Sequence, residues 1–243
     1  MSRPLVIAHR GASGERPENT LPAFEYAIEQ SADMIETDLH LTRDGVVVIH
    51  HDAALDRLGG QGEIRDRTAA ELAGLNAAPG ASLAERMPTL LDLLDRFGER
   101  MEFNLELKVG IDAPYDGLEE LVIGELEGRG LLPRMLLSCF DDRVLERLRA
   151  LSPSARLGVL VSPRAPGDIA GRARRVQAEA INPQCFLVDE DLVRSVHAEG
   201  LAVYPYTANE LPEMTRLLDC GVDGIITNYP ARLRELVDAR ENA

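Results

Sequence analysis

Two carboxylates stand close together in a stretch of the chain that alternates in hydrophobicity. Glu36 and Asp38 lie two residues apart in the run Met34 to Leu41, whose alternation predicts a β-strand, so both side chains should leave the same face. The two carboxylates repel each other unless a cation lies between them or one of them is protonated. Oxygen ligands without a neighbouring thiolate favour a hard cation, Mg²⁺ or Ca²⁺. Two surface acids at a solvated strand edge would have the same spacing, so the spacing alone leaves both interpretations open.

Histidines flank this pair on both sides in the sequence. His9 and Arg10 follow a short apolar run, Leu5 to Ala8, which is typical of a buried strand. Asp44-Gly45 lies between two extended runs and predicts a β-hairpin, which would return His51 to the end of the acidic strand. Histidine has an unperturbed pKa of about 6.5, which suits proton transfer near neutral pH. We therefore take His9 and His51 as candidate residues of the same site.

The rest of the chain alternates between predicted strands and helices. The alternation predicts eight parallel strands, each followed by a helix. Eight is the number of strands that closes a (β/α)₈ TIM barrel of the α/β class. An open doubly wound sheet is the alternative, but the first turn is neither a dinucleotide fingerprint nor a phosphate-binding P-loop. After the first two strands, the other six are predicted near residues 101–108, 134–139, 155–161, 178–183, 201–207 and 223–227.

Residues 53–88 differ from the regular alternation. They are rich in Gly and Pro, with one short helical candidate near Thr68 to Leu72 and no long apolar run. We interpret them as a small insertion after the β-hairpin that follows strand 2, at the same end of the barrel as His51. Residues 1–243 are then expected to form a single domain.

The third barrel strand strengthens the metal-site interpretation. Glu106 and Lys108 again share a face through their two-residue spacing, at the carboxyl end of that strand. Active sites of TIM barrels lie at this end, so a third carboxylate and a cation should join Glu36 and Asp38. The sequence therefore predicts a metal-dependent site.

Charge and cysteine content exclude several classes of partner. The chain has 243 residues and a formal net charge of −15, which repels nucleic acid and anionic lipid headgroups, so neither nucleic-acid binding nor stable membrane association is expected. Cys139, Cys185 and Cys220 show no paired spacing, which favours a reducing compartment without zinc or disulfides. The first apolar run is too short for a signal peptide, so a cytoplasmic protein is expected. The oligomeric state cannot be predicted.

Several other polar residues have simpler interpretations. In a strand His50 faces away from His51, so we expect a structural role for it. His40 and His197 have no partner nearby in the sequence and are expected at the surface. Ser138 and Phe140, near the end of the fourth strand, are weaker candidates to line the pocket.

Taken together, the motifs resemble the glycerophosphodiester phosphodiesterases, of the bacterial cytoplasmic type. Each motif is weak alone, but their order and spacing along the whole chain are specific, and Asp223 to Thr227 resembles the closing strand of that family. The matching segments are His9-Arg10-Gly11, Pro17-Glu18-Asn19-Thr20, Glu36-Thr37-Asp38, Thr42 with Asp44-Gly45, His51-Asp52 and Glu106-Leu107-Lys108.

The resemblance implies a phosphatidylinositol-phospholipase-like barrel that hydrolyses small-molecule glycerophosphodiesters to glycerol 3-phosphate and an alcohol. It implies one divalent cation, Mg²⁺ or Ca²⁺, at three carboxylates, two catalytic histidines, and two cationic residues at the phosphate. We expect His51 as the acid and His9 as the base, although the reverse assignment is open. By position, the metal ligands are Glu36, Asp38 and Glu106, and the phosphate contacts are Arg10 and Lys108.

Two positions depart from the family pattern. Tyr206 stands where the family usually has Trp, and Asn228 stands where it usually has Asp. Tyr206 can still pack its ring against the glycerol carbons, which makes it a third candidate substrate contact. Neither departure is expected to touch the chemistry.

Two other functions remain alternatives. A phospholipase-type phosphodiesterase acting on lipids would need an apolar or basic surface, which the strong acidity of the chain opposes. A barrel that binds phosphorylated ligands without turnover would need one of the two histidines to be missing or blocked, whereas His9 and His51 are both present.

Overall fold

The computed structural model describes residues 3–162 and 167–241. Within these ranges strands and helices alternate along the chain, with several short 3₁₀ turns between them. The strands are β1 (Leu5–His9), β2 (Met34–Leu41), β3 (Val47–Ile49), β4 (Glu102–Leu107), β5 (Met135–Cys139), β6 (Arg156–Val161), β7 (Ala180–Pro183), β8 (Ala202–Val203) and β9 (Gly224–Thr227). The α-helices are α1 (Leu21–Glu29), α2 (Ala69–Leu72), α3 (Leu90–Phe97), α4 (Leu118–Gly128), α5 (Asp142–Leu151), α6 (Ile169–Val176), α7 (Glu190–Ala198), α8 (Leu211–Asp219) and α9 (Pro230–Glu241).

Eight of the strands form a nearly closed parallel barrel in the order β8-β7-β6-β5-β4-β2-β1-β9. Two backbone hydrogen bonds cross the remaining gap, from Asp223 to Val203 at 3.1 Å and from Ile226 to Pro205 at 2.9 Å. β3 lies outside the barrel and pairs antiparallel with β2, as the Asp-Gly turn predicted. The predicted TIM barrel is therefore confirmed, and the doubly wound sheet is excluded.

The strand sequences explain why the barrel has two apolar layers. Side chains alternate along each strand, and all eight residues of β2 are buried, so both faces are covered. One face packs against the helices, where Phe24 makes edge-to-face contacts with Phe97 and Phe103 at about 6 Å between ring centroids. A smaller cluster fills the inside of the barrel, formed by Ile7, Met34, Leu136, Ala180, Tyr204 and Ile226.

The insertion after the hairpin has an apolar cluster of its own. Residues 53–88 contain 3₁₀ turns and α2, and Thr68 caps α2 at the predicted position by accepting from Glu71 N. The cluster packs against β3 and consists of Val48, Leu55, Ile64, Leu72, Ala77 and Met87. The interpretation of residues 1–243 as one domain that includes this insertion stays a prediction.

One predicted strand is much shorter than expected. The stretch 201–207 forms a strand only at Ala202–Val203. Pro205 follows and has no N–H to continue the ladder, so regular pairing stops before Tyr206. Tyr206 nevertheless donates its backbone N–H to Pro183 O at 2.9 Å, which keeps this segment beside β7.

A helix that crosses a membrane must be both long and apolar. Among residues 3–162 and 167–241, no helix combines the length and the apolar character that a membrane crossing requires.

The aromatic contact between α1, α3 and β4 gives a test of the fold. We expect Phe24→Ala to lower the free energy of unfolding by about 3–5 kcal/mol, because the ring is fully buried and its loss leaves a cavity. Leu91→Ala on α3, where the side chain is 43% exposed, should cost less than about 1 kcal/mol. Urea unfolding followed by circular dichroism measures both, and equal losses would contradict this account of the core.

Candidate active site

Three carboxylates meet at the carboxyl ends of two adjacent barrel strands. β2 pairs with β4 in a register that sets Asp38 beside Glu106, and Glu36 lies one inward position earlier on β2. One oxygen from each of the three lies within 4.8 Å of the others, and all three residues are buried. In the parts of the chain that the structure describes, no other three acidic, histidine or cysteine side chains come together in this way. The predicted ligand set is thus brought together.

Two cations lie against these carboxylates. Lys108 Nζ is 2.8 Å from Glu106 and 3.3 Å from Asp38, and Arg10 Nε is 3.4 Å from Asp38. Burial alone would raise the pKa of Asp38, but Lys108 and Arg10 hold that pKa below its usual range. Burial, with the charge of Asp38, raises the pKa of Glu36 well above its usual value. The three carboxylates exceed the two cations in charge, so the site fits one added divalent cation with oxygen ligands.

The loop before α1 fixes Asp38 in place. Asn19 is buried, has a left-handed φ of 57°, and donates its side-chain amide to Asp38 Oδ2 at 2.8 Å. Its amide oxygen accepts from the Thr37 hydroxyl at 2.8 Å. The next residue, Thr20, caps α1. The family motif that contains Asn19 was the one signal for its role.

Arg10 is held in place from both its backbone and its side chain. Its φ is 54°, and its backbone N–H points at Glu36, 2.8 Å from the main-chain oxygen and 3.1 Å from Oε2. Its guanidinium also donates to Glu18 at 3.0 Å. The left-handed φ of Arg10 turns the chain sharply at the end of β1. The Arg10 side chain then faces the cavity rather than solvent.

His9 is paired with the residue that departs from the family pattern. Its Nδ1 lies 2.6 Å from Asn228 Oδ1, so Nδ1 carries the proton and Nε2 keeps its lone pair, 3.9 Å from Glu36. Burial, followed by the charge of Arg10, lowers the pKa of His9 to about 4. Asn228 therefore orients a candidate catalytic histidine, and the expectation that this departure does not touch the chemistry stays a prediction.

His51 has a charged partner instead. Its Nδ1 is 2.7 Å from Asp52 Oδ1, and Arg57 from the insertion is 3.1 Å from the other oxygen of Asp52. Burial and the charge of Lys108 lower the pKa of His51, while Asp52 opposes that change. His51 therefore has a carboxylate within hydrogen-bond distance that favours its protonated form, whereas Glu36 Oε2 lies 3.9 Å from His9 Nε2.

The expectation for His40 was wrong, because this residue is fully buried. Its Nε2–H donates to the main-chain oxygen of His51 at 3.2 Å, and Nδ1 accepts from the Tyr115 hydroxyl at 2.6 Å. Burial lowers the pKa of His40 to about 3, so its ring is a neutral support beneath His51. His50 is buried as expected of a structural residue, and His197 lies half-exposed on α7.

These residues surround one cavity of about 380 Å³. Phe140 lies in its wall and contacts Tyr206 edge to face at 6.1 Å between ring centroids, whereas Ser138 is fully buried within the barrel. The wall also contains most of the predicted site, namely His9, Arg10, Glu36, His51, Glu106, Lys108 and Tyr206.

Comparison with known proteins now decides the family. The model of the "Glycerophosphoryl diester phosphodiesterase family" matches residues 9–232. The chain belongs to this family. A glycerophosphodiester phosphodiesterase of Caldanaerobacter subterraneus is 36% identical, with 96% of this chain and 97% of the relative covered. A second one, from Bacillus subtilis, is 33% identical, with 94% and 84% covered.

A solved structure extends the comparison to the whole fold. The phosphodiesterase of Oleispira antarctica, solved in complex with the product sn-glycerol-3-phosphate, is 32% identical to this chain. It superposes with a TM-score of 0.83 over 97% of each chain. The family resemblance of the motifs is thereby confirmed, and the chain is a member of a family of phosphoric diester hydrolases.

The crowded carboxylates give a test for the cation. We expect Mg²⁺ or Ca²⁺, at a hundred times its dissociation constant, to raise the free energy of unfolding by about 2.7 kcal/mol. Glu36→Gln should remove most of this gain, yet the chelated variant should be at least as stable as the chelated wild type, because the charge that burial disfavours is gone. Urea titrations with and without metal measure both.

A matched control exists on α4. Glu119 is also buried with a raised pKa, but it lies outside the site, so Glu119→Gln should keep the stabilisation by metal. Equal stabilisation of wild type and Glu36→Gln by metal would contradict the assignment of Glu36 as a ligand.

The support beneath His51 gives a second test. Tyr115→Phe removes the hydroxyl that donates to His40 Nδ1 and should cost about 1–3 kcal/mol, because a buried acceptor is left unsatisfied. Tyr26→Phe is the control, since its hydroxyl makes no hydrogen bond with any residue the structure describes, and it should be neutral. Thermal and urea unfolding measure the difference, and equal stability of the two variants would argue against this hydrogen bond.

Proposed function

We propose that the protein hydrolyses glycerophosphodiesters to glycerol 3-phosphate and an alcohol, with one divalent cation and two histidines. The observation that carries this proposal is the meeting of three buried carboxylates, two cations and two histidines around one cavity. The product in the Oleispira antarctica phosphodiesterase supports the same substrate class. A small-molecule substrate also agrees with a cavity of about 380 Å³.

Charge is the first requirement of the reaction. A phosphodiester is an anion, and the transition state spreads further negative charge over the phosphoryl oxygens. Arg10 and Lys108 line the cavity and are placed to contact those oxygens. Glu36, Asp38 and Glu106 would hold the divalent cation, Mg²⁺ or Ca²⁺, which supplies Lewis-acid stabilisation of the same charge when it is bound.

The two histidines divide the proton transfers. His9 is neutral, with its Nε2 lone pair available, and acts as the base that takes the proton from the attacking hydroxyl. His51 is paired with Asp52, which stabilises the imidazolium, and the anionic phosphate of a bound substrate favours it further. His51 therefore acts as the acid that protonates the leaving alcohol oxygen as its bond to phosphorus breaks. The attacking hydroxyl belongs to water or to the neighbouring carbon of glycerol, and the same two transfers serve both routes.

The remaining expectations from the sequence are not tested by the fold. A cytoplasmic location, the absence of nucleic-acid partners and the lack of stable membrane association stay predictions.

Release of glycerol 3-phosphate from glycerophosphocholine tests the proposed function. Metal-stripped protein should be inactive, and Mg²⁺ or Ca²⁺ should restore turnover. His51→Ala should lower kcat by at least about 10²-fold, because the leaving oxygen then departs without a proton. A coupled assay for glycerol 3-phosphate measures each rate.

His197→Ala is the matched control, since His197 lies on α7 beside Asp223 and outside the cavity wall. It should keep the wild-type rate. Wild-type protein that fails to turn over several headgroups with either metal would favour a binding barrel. Full activity in His51→Ala would contradict its role as the acid.

A further inference from the structure

The cavity wall is divided into two halves by the order of the barrel strands. The ends of β1, β2 and β4, which are neighbours, carry the charged and catalytic residues. The ends of β5 to β8 supply a different wall, in which aromatic rings dominate: Phe140 after β5, Phe186 after β7, and Tyr206 after β8. The chemistry proposed above uses only the first half.

One carboxylate lies in this aromatic half. Glu213, in the first turn of α8, lines the cavity together with the rings. Its carboxylate has no hydrogen bond or ion pair with any of the residues in 3–162 and 167–241. Other charges of the wall, Arg10, Glu36, Glu106 and Lys108, belong to the catalytic half. Among the described residues, Glu213 is therefore an unpaired negative charge in the same cavity wall as the aromatic rings.

The exposed ring of Phe186 is held in position by its neighbours. It is 67% exposed, which is unusual for a phenylalanine, yet the turn that carries it is fixed. Cys185 N–H donates to Tyr206 O at 2.9 Å, and Arg216 donates to Cys185 O at 2.8 Å and to Val188 O. The fixed turn therefore keeps an exposed apolar ring in the cavity wall, where a ligand can contact it.

Arg216 is a nearby positive charge that could weaken an attraction for cations. It lies one turn after Glu213 on α8, but its terminal nitrogens are bound to the two main-chain oxygens of the turn, and it is not part of the cavity wall. Among the residues in 3–162 and 167–241 that line the aromatic half of the cavity, the charged one is Glu213.

We propose that the aromatic half, defined by Phe140, Phe186, Tyr206 and Glu213, is a subsite for a cationic amino-alcohol headgroup such as choline or ethanolamine. Aromatic faces attract ammonium groups, most strongly when the cation is partly desolvated, and a carboxylate adds a direct charge. The substrate would be a zwitterion whose phosphate lies at Arg10 and Lys108 and whose ammonium lies at Glu213. This inference rests on the proposed function and deepens it.

The test compares three substrates, two with a cationic headgroup and one with a neutral headgroup. Wild-type kcat/KM should be higher for glycerophosphocholine and glycerophosphoethanolamine than for glycerophosphoglycerol, whose headgroup is neutral. Glu213→Gln keeps the size of the side chain and should lower the ratio of kcat/KM, choline ester over glycerol ester, by about five- to tenfold. Phe186→Leu should lower the same ratio by about threefold without removing the charge.

Glu210→Gln is the matched control. Glu210 is the N-cap residue of α8, is largely exposed and lies outside the cavity wall, so this change should leave the ratio at its wild-type value. Raising the salt concentration should lower the kcat/KM ratio of the wild type and have little effect on the ratio of Glu213→Gln. Only the wild type has the Glu213 carboxylate, whose attraction for the ammonium group is screened by salt.

The outcomes separate the two proposals. A ratio that falls in Glu213→Gln and not in Glu210→Gln supports the subsite. Glycerophosphodiester turnover with the same ratio in wild type and Glu213→Gln overturns the subsite and leaves the proposed function intact. Absence of turnover for every ester, with metal present, overturns the proposed function and the subsite with it.

Discussion

The structure depends on an electrostatic balance at the end of the barrel. Glu36, Asp38 and Glu106 are buried where like charges repel, and the positive charges of Arg10 and Lys108 oppose that repulsion. The parallel register of β2 and β4 fixes the carboxylates before any ligand arrives. Because burial and neighbouring acids raise the pKa of Glu36, the metal-free site favours a proton on it, and a cation must displace that proton. The proposed divalent ion would offset this unfavourable balance.

The two histidines show how the same barrel gives different properties to one residue type. His9 ends β1, next to β9, and the turn after β9 provides a neutral amide, Asn228. His51 follows the hairpin strand β3, outside the barrel, where the next residue along the chain provides a carboxylate, Asp52. A neutral partner leaves a base unprotonated, whereas a charged partner stabilises the protonated form. The proposed division into base and acid therefore follows from which strand delivers each ring.

The barrel and its acidic site could be predicted because they depend on local patterns. Apolar runs with two-residue spacing define the strands, and that spacing sets the face for each carboxylate. The supports could not be predicted in the same way, because Asn19 and Asn228 act through neighbours that only the closed barrel brings near. His40 was placed wrongly for this reason, since its partner Tyr115 is 75 residues away. The short β8 is a separate case. Pro205 indicated that the strand would end early, but the prediction for residues 201–207 gave more weight to their apolar pattern.

The overall charge of the chain bears on which diesters the cavity admits. With a net charge of −15, the surface repels any approaching anion, although at physiological salt this repulsion acts only over about 8 Å. A diester with a neutral headgroup carries a net negative charge, and it must cross that field to reach Arg10 and Lys108. A zwitterionic diester carries no net charge, and its ammonium end is attracted to the acidic rim. The overall acidity of the protein and the unpaired Glu213 therefore favour the same substrates: the first acts on approach, and the second acts once the headgroup is inside the cavity.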